Sequence, residues 1–348
     1  MFPNSFLAIT AGDPCGIGPE VILKALTRGP STRGLRVVVI GDCTVFEAAA
    51  RRLRCRLPPW SVMTTGRHLE RSSGPLVFLD CSHRQRYVPE RSSAAAGRAS
   101  LDYLDHALAL QKAGHLAALV TAPVTKWAIG QVAPSFIGQT EYLSRAMKRR
   151  DVVMMFVSEV LRVALLTRHV PLSRVGRSID RRLVRTTLRL VAASLKTQFR
   201  IAKPTLAICG VNPHAGEASR CGEEEERLIV PVLRELRRRG LRCDGPFAAD
   251  GLFASLQVLR GRSSYDAIVC AYHDQGLIPF KMVARDRGCQ LSIGLPIVRT
   301  SPDHGSALDI AGKNIADPGS MIYAIELAAK LARIIVGRTQ RRKKTASI

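Results

Sequence analysis

Short apolar runs alternate with helix-length stretches along this chain, and that alternation restricts it to an α/β layer architecture. Residues 6–9, 37–40, 118–120, 206–209 and 267–270 are compact apolar runs bounded by turn-forming or polar residues. They read as strands buried on both faces, the pattern of a parallel sheet. Between them the spacing predicts helices. Pro19 opens one, continued by Val21, Ile22, Leu23 and Leu26. Ser100 is set to cap a helix over 101–112, with Gly114 as its stop. The runs 152–157 and 161–166 are close enough to form an antiparallel pair, and 320–336 reads as a long apolar helix ended by Gly337. The tail 338–348 carries Arg341, Arg342, Lys343 and Lys344, a composition that suggests fraying or disorder.

A length of 348 residues fits about two domains, and a hydrophobic content of 46% is enough for a sizeable core. Lys and Arg total 52 against 28 Asp and Glu, a net charge of +24. This excludes an acidic disordered chain and raises anionic partners: nucleic acid, membrane surface or small molecule. Aromatic residues are only 5%, and Arg174, Arg177, Arg181, Arg182, Arg185 and Arg189 space as a solvated helix face. A dedicated nucleic-acid partner is therefore not expected. No apolar run reaches the ~18 residues of a membrane span, and the first residues lack the basic stretch of a secretory signal. The nine cysteines form no CxxC pair, which argues against a zinc ribbon and a disulfide framework. A reducing, cytoplasmic setting is expected, with Cys209 and Cys270 as small core residues.

Three of the eight histidines share one context. His169, His214 and His273 each sit at or just past the carboxyl end of an apolar run. Ligands bind at that edge of α/β sheets, and three neutral imidazoles can hold a divalent transition metal with positions left open for substrate. The flanks Asn212-Pro213-His214-Ala215-Gly216-Glu217 and Tyr272-His273-Asp274-Gln275-Gly276 are dense in turn-forming and polar residues. Two further segments suit anions. Gly12-Asp13-Pro14-Cys15-Gly16-Ile17-Gly18-Pro19-Glu20 joins the first strand to the first helix, where glycines and a helix N-terminus admit an anion or simply make a structural turn. It lacks the spacing of a dinucleotide fingerprint. The stretch from Arg299 through Thr300, Ser301, Pro302, Asp303 and His304 to Gly305 offers a guanidinium fork for phosphate or carboxylate.

Taken together, these motifs, with Thr121-Ala122-Pro123-Val124-Thr125-Lys126, resemble the 4-hydroxythreonine-4-phosphate dehydrogenase family of pyridoxal phosphate biosynthesis, over residues 6 to 336. The first segment and residues 304–313 also resemble the isocitrate and isopropylmalate dehydrogenases, which use such a loop near the cofactor's adenosine. The resemblance implies a two-domain α/β/α fold unlike a standard Rossmann domain. Residues 1–138 with 306–337 would form the first domain, 139–305 the second with a dimer interface, and 338–348 a basic tail. It implies a homodimer with a shared active site and a divalent metal (zinc, magnesium or cobalt) on His169, His214 and His273, the last from the other subunit. Substrate-binding positions carry over to Gln139, Thr140, Lys281, Gln290 and Arg299. Lys281 and Asp250 are the candidate catalytic residues, the latter equally readable as a helix cap. Gly12, Asp13, His304, Gly305 and Asp309 fall at positions expected to meet NAD or NADP. The family usually has His at the position of Gln139 and Asn at that of Gln290. The implied reaction oxidises 4-phosphohydroxy-L-threonine to a β-keto acid that loses carbon dioxide, giving 3-amino-2-oxopropyl phosphate. A paralogue acting on 4-phosphoerythronate or a dihydrodiol dicarboxylate is the alternative.

Overall fold

A computed structural model of the chain describes residues 6–83, 85–256 and 264–345. The chain divides into two compact units, Met1–Arg150 with Leu295–Ile348, and Asp151–Gly294. This differs from the expected division. Helix α5 (Gln139–Ala146) and strand β12 (Val298–Pro302) belong to the first unit, because β12 pairs in parallel with β5 (Leu116–Thr121) and Gln139 bonds the Ala122 carbonyl. Strand pairing and the Gln139 contact place the boundary at 150/151 and 294/295, where the resemblance implied 138/139 and 305/306.

The first unit is a parallel sheet in the order β3 (Ser61–Met63), β4 (Leu76–Asp80), β2 (Arg36–Gly41), β1 (Phe6–Thr10), β5, β12. Every residue of β1 is buried, as a strand covered on both faces requires. After β1 the chain moves outward to β2 and beyond, then returns to lay β5 on the other side of β1. The carboxyl ends of β1 and β5 therefore flank a topological switch point, where α/β sheets open a crevice. Helix α1 (Gly18–Thr27) starts with Pro19 as expected. Helix α3 (Ala94–Lys112) starts earlier than the sequence suggests. Its cap is Ser93, whose Oγ accepts from the Ala96 amide at 3.3 Å. Ser100 is interior and buried, donating to the carbonyls of Ala96 at 2.7 Å and Gly12 at 3.2 Å. Gly114 does take the left-handed conformation, with φ +78°, just past the helix end. Helix α11 (Gly319–Thr345) returns to this unit and packs on β12 and β5. It runs through Gly337 into the basic tail, since Gly337 keeps a negative φ instead of the left-handed turn that would stop it.

The second unit is a mixed sheet in the order β11 (Cys289–Ile293), β6 (Val153–Val157), β7 (Arg162–Leu165), β10 (Ala267–Cys270), β8 (Thr205–Cys209), β9 (Arg242–Phe247). Strands β6 and β7 form the expected antiparallel pair, with Met155 opposite Ala164. From β7 to β9 the pairings with β10 and β8 are parallel. The chain passes from β8 outward to β9 and then lays β10 between β7 and β8, a second switch point. Helix α7 (Arg181–Thr197) is capped by Asp180, whose Oδ1 accepts from the Leu183 amide at 2.6 Å. Its inner face buries Val184, Leu188, Val191 and Leu195, while Arg181, Arg182 and Arg189 are exposed. Cys209 and Cys270 are buried in the core, and all nine cysteines are free thiols. No helix among the described residues is long and apolar enough to cross a membrane.

Candidate active site

In the second unit the carboxyl ends of β7, β10 and β8 carry His169, His273 and His214 in turn. The His169 and His273 rings stand 5.8 Å apart between centroids, tilted by 36°. That separation suits two imidazoles sharing one ion, each with a metal–nitrogen bond of about 2.0–2.1 Å. His273 opens helix α10 (His273–Ala284), and its Nδ1 lies 2.7 Å from Asp274 Oδ1. A carboxylate at Nδ1 fixes the ring orientation and leaves Nε2 as the nitrogen available to a ligand. His214 is exposed on the turn Pro213–Gly216. Among the described residues of one chain, no group of three His, Cys, Asp or Glu side chains stands ready to hold a metal. The chain thus brings His169 beside His273, where the resemblance drew the last histidine from the other subunit.

The loops carrying these histidines are pinned from below. Thr167 Oγ1 donates to the Ala271 carbonyl at 2.7 Å, tying β7 to β10. Gln275 Oε1 accepts from the Ala271 amide at 2.7 Å while its Nε2 donates to the Gly210 carbonyl at 2.8 Å, tying β10 to β8. Buried Glu225 Oε1 accepts from the amides of Val211 and Asn212, at 2.7 and 2.8 Å. Asn212 Nδ2 also donates to Glu224 Oε2 at 2.7 Å, which holds the Glu224 carboxyl below its ordinary range. Above these anchors His169, His214, Ala215, Glu217, Ala218 and Ser219 all have positive φ. Non-glycine residues reach that region only when their surroundings impose it, a feature concentrated at ligand sites. Sequence reading found the histidines but not Thr167, Gln275 or Glu225. Gln275 lay inside a motif already noticed, whereas Glu225 sits in an acidic run that looks like a solvated helix start.

The first unit gathers its own set. Arg299, on β12, is among the largest fully buried side chains of the chain. Its Nη2 donates to Thr121 Oγ1 at 2.5 Å and its Nη1 to Thr140 Oγ1 at 3.2 Å. Burial pushes the guanidinium down to about 10, and the Glu141 carboxylate acts in the opposite direction. Gln139 Nε2 donates to the Ala122 carbonyl at 3.0 Å, leaving its Oε1 buried without a partner among the described residues. Gln290 and Lys281 belong to the second unit: Gln290 is buried on β11 and donates to Ser292 Oγ at 3.0 Å, while Lys281 is exposed on α10. Asp250 is exposed in the first turn of α9 (Ala249–Ser255), where the capping position is Ala248. A capping role for Asp250 is thereby removed.

At the first switch point, Gly12 has φ +72°, and a Cβ there would lie 2.3 Å from the Pro123 carbonyl oxygen. Asp13 faces inward: Oδ1 accepts from the Cys15 amide at 2.8 Å and Oδ2 from Ser92 Oγ at 2.6 Å. It shapes the loop, with both oxygens engaged by protein. The loop is tied to the later motif where the Ile17 amide donates to the Ser306 carbonyl at 3.0 Å. His304 Nδ1 lies 3.0 Å from the Gly305 carbonyl, and its buried Nε2 has no partner among the described residues. Gly305 and Asp309 are exposed beside it. A glycine-lined turn, an orphaned imidazole nitrogen and an exposed carboxylate fit a nucleotide's hydroxyls and ring nitrogens.

Comparison with known proteins follows the same lines. The chain matches the family model for the pyridoxal phosphate biosynthetic protein PdxA over residues 34–328. A 4-hydroxythreonine-4-phosphate dehydrogenase of Acidithiobacillus ferrooxidans is 41% identical over 336 residues, covering 96% of this chain and 98% of that protein. The crystal structure of the 4-hydroxythreonine-4-phosphate dehydrogenase from Klebsiella pneumoniae superposes with a TM-score of 0.78 at 33% identity, over 94% of this chain and 98% of that one. A terephthalate 1,2-cis-dihydrodioldehydrogenase from Burkholderia xenovorans LB400 superposes with a TM-score of 0.61 at 31% identity, over the same shares of 94% and 98%.

Proposed function

The chain belongs to the family of the pyridoxal phosphate biosynthetic protein PdxA, and from that premise we propose that it is a nicotinamide-dependent 4-hydroxythreonine-4-phosphate dehydrogenase. In this reaction the carbon bearing the substrate's secondary hydroxyl gives up a hydride and the hydroxyl oxygen gives up a proton. The β-keto acid so formed loses carbon dioxide to yield 3-amino-2-oxopropyl phosphate. The observation that carries the reading is the His169–His273 pair, 5.8 Å apart at the ends of adjacent parallel strands, with Asp274 on one ring. A divalent ion (zinc, magnesium or cobalt) held there would supply Lewis-acid polarisation of the hydroxyl, and NAD or NADP would accept the hydride.

The chain's own residues provide the rest. The loops pinned by Thr167, Gln275 and Glu225 hold the histidines in one orientation. Arg299, fixed by Thr121 and Thr140, is assigned to an anionic group of the substrate, where a forked guanidinium matches phosphate or carboxylate. Thr140, Gln139 and Gln290 offer hydrogen bonds to the same molecule, and Lys281 and Asp250 are assigned its charge and proton balance. Gly12, His304, Gly305 and Asp309 are assigned to the nicotinamide cofactor, with Asp13 as the loop's internal anchor. The third metal ligand is assigned to a histidine contributed across a homodimer, which makes the active site shared. Nine free thiols fit a reducing cytoplasm.

A substrate panel tests this assignment. 4-Phosphohydroxythreonine, 4-phosphoerythronate and a dihydrodiol dicarboxylate are each offered with divalent metal and both cofactors, and reduced cofactor is followed by absorbance. The expected result is a kcat/KM for 4-phosphohydroxythreonine at least ~100-fold above the others. A higher value for the dihydrodiol dicarboxylate overturns the assignment in favour of the paralogous chemistry.

A further inference from the structure

A recess of about 240 Å³ opens in the second unit at the amino ends of β8 and β9. It lies below the roughly 300–1,000 Å³ of drug-sized ligand sites, so it is sized for a group of few atoms. Three segments each bring a cation to it. Lys196 comes from the last turn of α7, Lys203 from the loop before β8, and Arg242 from the first residue of β9. No acidic residue lines it, and the rest of its wall is apolar or glycine. All three cations are exposed, and none makes an ion pair among the described residues. Local counter-charge is scarce, since residues 181–203 contain no Asp or Glu. The neighbouring carboxylates are engaged elsewhere: Asp266 Oδ2 accepts from the Thr205 amide at 2.8 Å, and Asp244 Oδ1 stands 3.8 Å from Arg237 Nη2.

Helix ends account for only one of the three cations. Lys196 sits where the negative end of α7 favours positive charge. Lys203 and Arg242 lie outside the helices, so that effect does not explain them. The carbonyls at the two helix ends are also partly spent. The Ile201 amide donates to the Leu195 carbonyl at 3.0 Å, beyond Arg200 at φ +60°. After α8 (Val230–Arg238), the Leu241 amide donates to the Leu236 carbonyl at 3.0 Å, beyond Gly240 at φ +81°. These closures compensate carbonyls that would repel an anion, and they root the loops that carry Lys203 and Arg242. A recess lined by one sign of charge focuses its field on an ion of the other sign. Three positive charges exceed the roughly −1.5 to −2 of a single phosphate at neutral pH, and fit two linked phosphates better. Arg242 offers a forked contact to one phosphate, and the two lysines act as point charges that can meet the other.

We propose that this recess is a binding site for a diphosphate group, held by Lys196, Lys203 and Arg242. Strand β8 (Thr205–Cys209) spans roughly 16 Å at ~3.3 Å per residue, with the recess at its start and the His214 loop beyond its end. The site is therefore separate from the histidines, and it gives part of the positive excess of this unit a ligand.

The test is calorimetric titration of the full-length protein with inorganic pyrophosphate, orthophosphate and uridine diphosphate at physiological salt. Wild type is compared with Lys203→Ala/Arg242→Ala, with Arg299→Met, and with Arg234→Ala/Arg238→Ala. The last pair removes the same charge from exposed positions of α8 outside the recess. Unchanged thermal midpoints of the two double variants check folding. Wild type should bind pyrophosphate at least about tenfold more tightly than orthophosphate. Lys203→Ala/Arg242→Ala should lose at least about tenfold of that affinity, with Arg299→Met and Arg234→Ala/Arg238→Ala within about twofold of wild type. Uridine diphosphate binding as tightly as pyrophosphate supports the proposal with a nucleotide as one source of the group; weaker binding supports it with the free ion as the source. No pyrophosphate binding in wild type overturns the proposal. So does a loss seen in Arg299→Met but not in Lys203→Ala/Arg242→Ala, which would place the anion at the candidate active site, and so does an equal loss in the two double variants, which would show diffuse charge alone.

Discussion

Arg299 concentrates the energetic tension of the first unit. The guanidinium is buried beside the hydroxyls of Thr121 and Thr140, and burial pushes it down to about 10 while the Glu141 carboxylate acts in the opposite direction. Because the shift is downward in a base, burial disfavours the charged form in full below about pH 10, and the penalty declines progressively above it, vanishing only where the unfolded chain also gives up the proton. Two consequences follow for Arg299→Met. Catalytic efficiency should fall at least ~100-fold, about 2.7 kcal/mol of transition-state stabilisation, chiefly through a raised KM. The thermal midpoint should fall by only a few degrees, because methionine fills much of the space but leaves the Thr121 and Thr140 hydroxyls without their donor. In wild type, substrate KM should stay level with respect to this group from pH 7 to 9 and rise as pH passes about 10. Steady-state kinetics over that range with a parallel melting curve checks all three. A lost fold with unchanged KM in the folded fraction would assign Arg299 to structure alone.

Among the elements, the contact of α3 with α4 (Lys126–Val132) depends on a missing side chain. A Cβ on Gly97 would come within 2.2 Å of the Ala128 carbonyl oxygen and 2.7 Å of the Ile129 amide nitrogen. Backbone on both sides cannot give way cheaply, so Gly97→Ala should cost about 1–3 kcal/mol despite alanine's better helix propensity. A denaturant midpoint that falls with an unchanged slope is the expected outcome, and a midpoint that rises would show that the helices separate freely. This position also marks the limit of what the sequence discloses. Strand runs such as 206–209 and 267–270 were legible because burial on both faces leaves no polar positions to confuse the pattern. The start of α3 was not: Ser93 and Ser100 are chemically identical, and only the tertiary contact of Ser100 with the Gly12 carbonyl tells anchor from cap. Gly337 misled for a related reason, since a glycine stops a helix only when the chain needs to turn there. The histidines were visible because strand ends expose them; the hydrogen bonds of Thr167 and Gln275 were hidden because they join strands distant in sequence.

Across the whole molecule, each unit reverses its strand order once, and each reversal collects one set of candidate residues. The first collects the Gly12 loop near β5, the second the histidines at β7, β10 and β8. This recurrence places the sequence motifs at two sheet edges, whereas the net charge of +24, the most conspicuous number, points to neither. Much of that excess lies on solvated helix faces such as that of α7. The central claim is that the His169–His273 pair forms the core of a metal site on which dehydrogenation depends. It is tested most directly on purified His273→Ala beside wild type, with bound metal measured by elemental analysis and reduced cofactor followed with 4-phosphohydroxythreonine. The account predicts a folded variant with stoichiometric metal lost and kcat/KM down at least ~1,000-fold, about 4 kcal/mol. Unchanged metal content with unchanged turnover would contradict it.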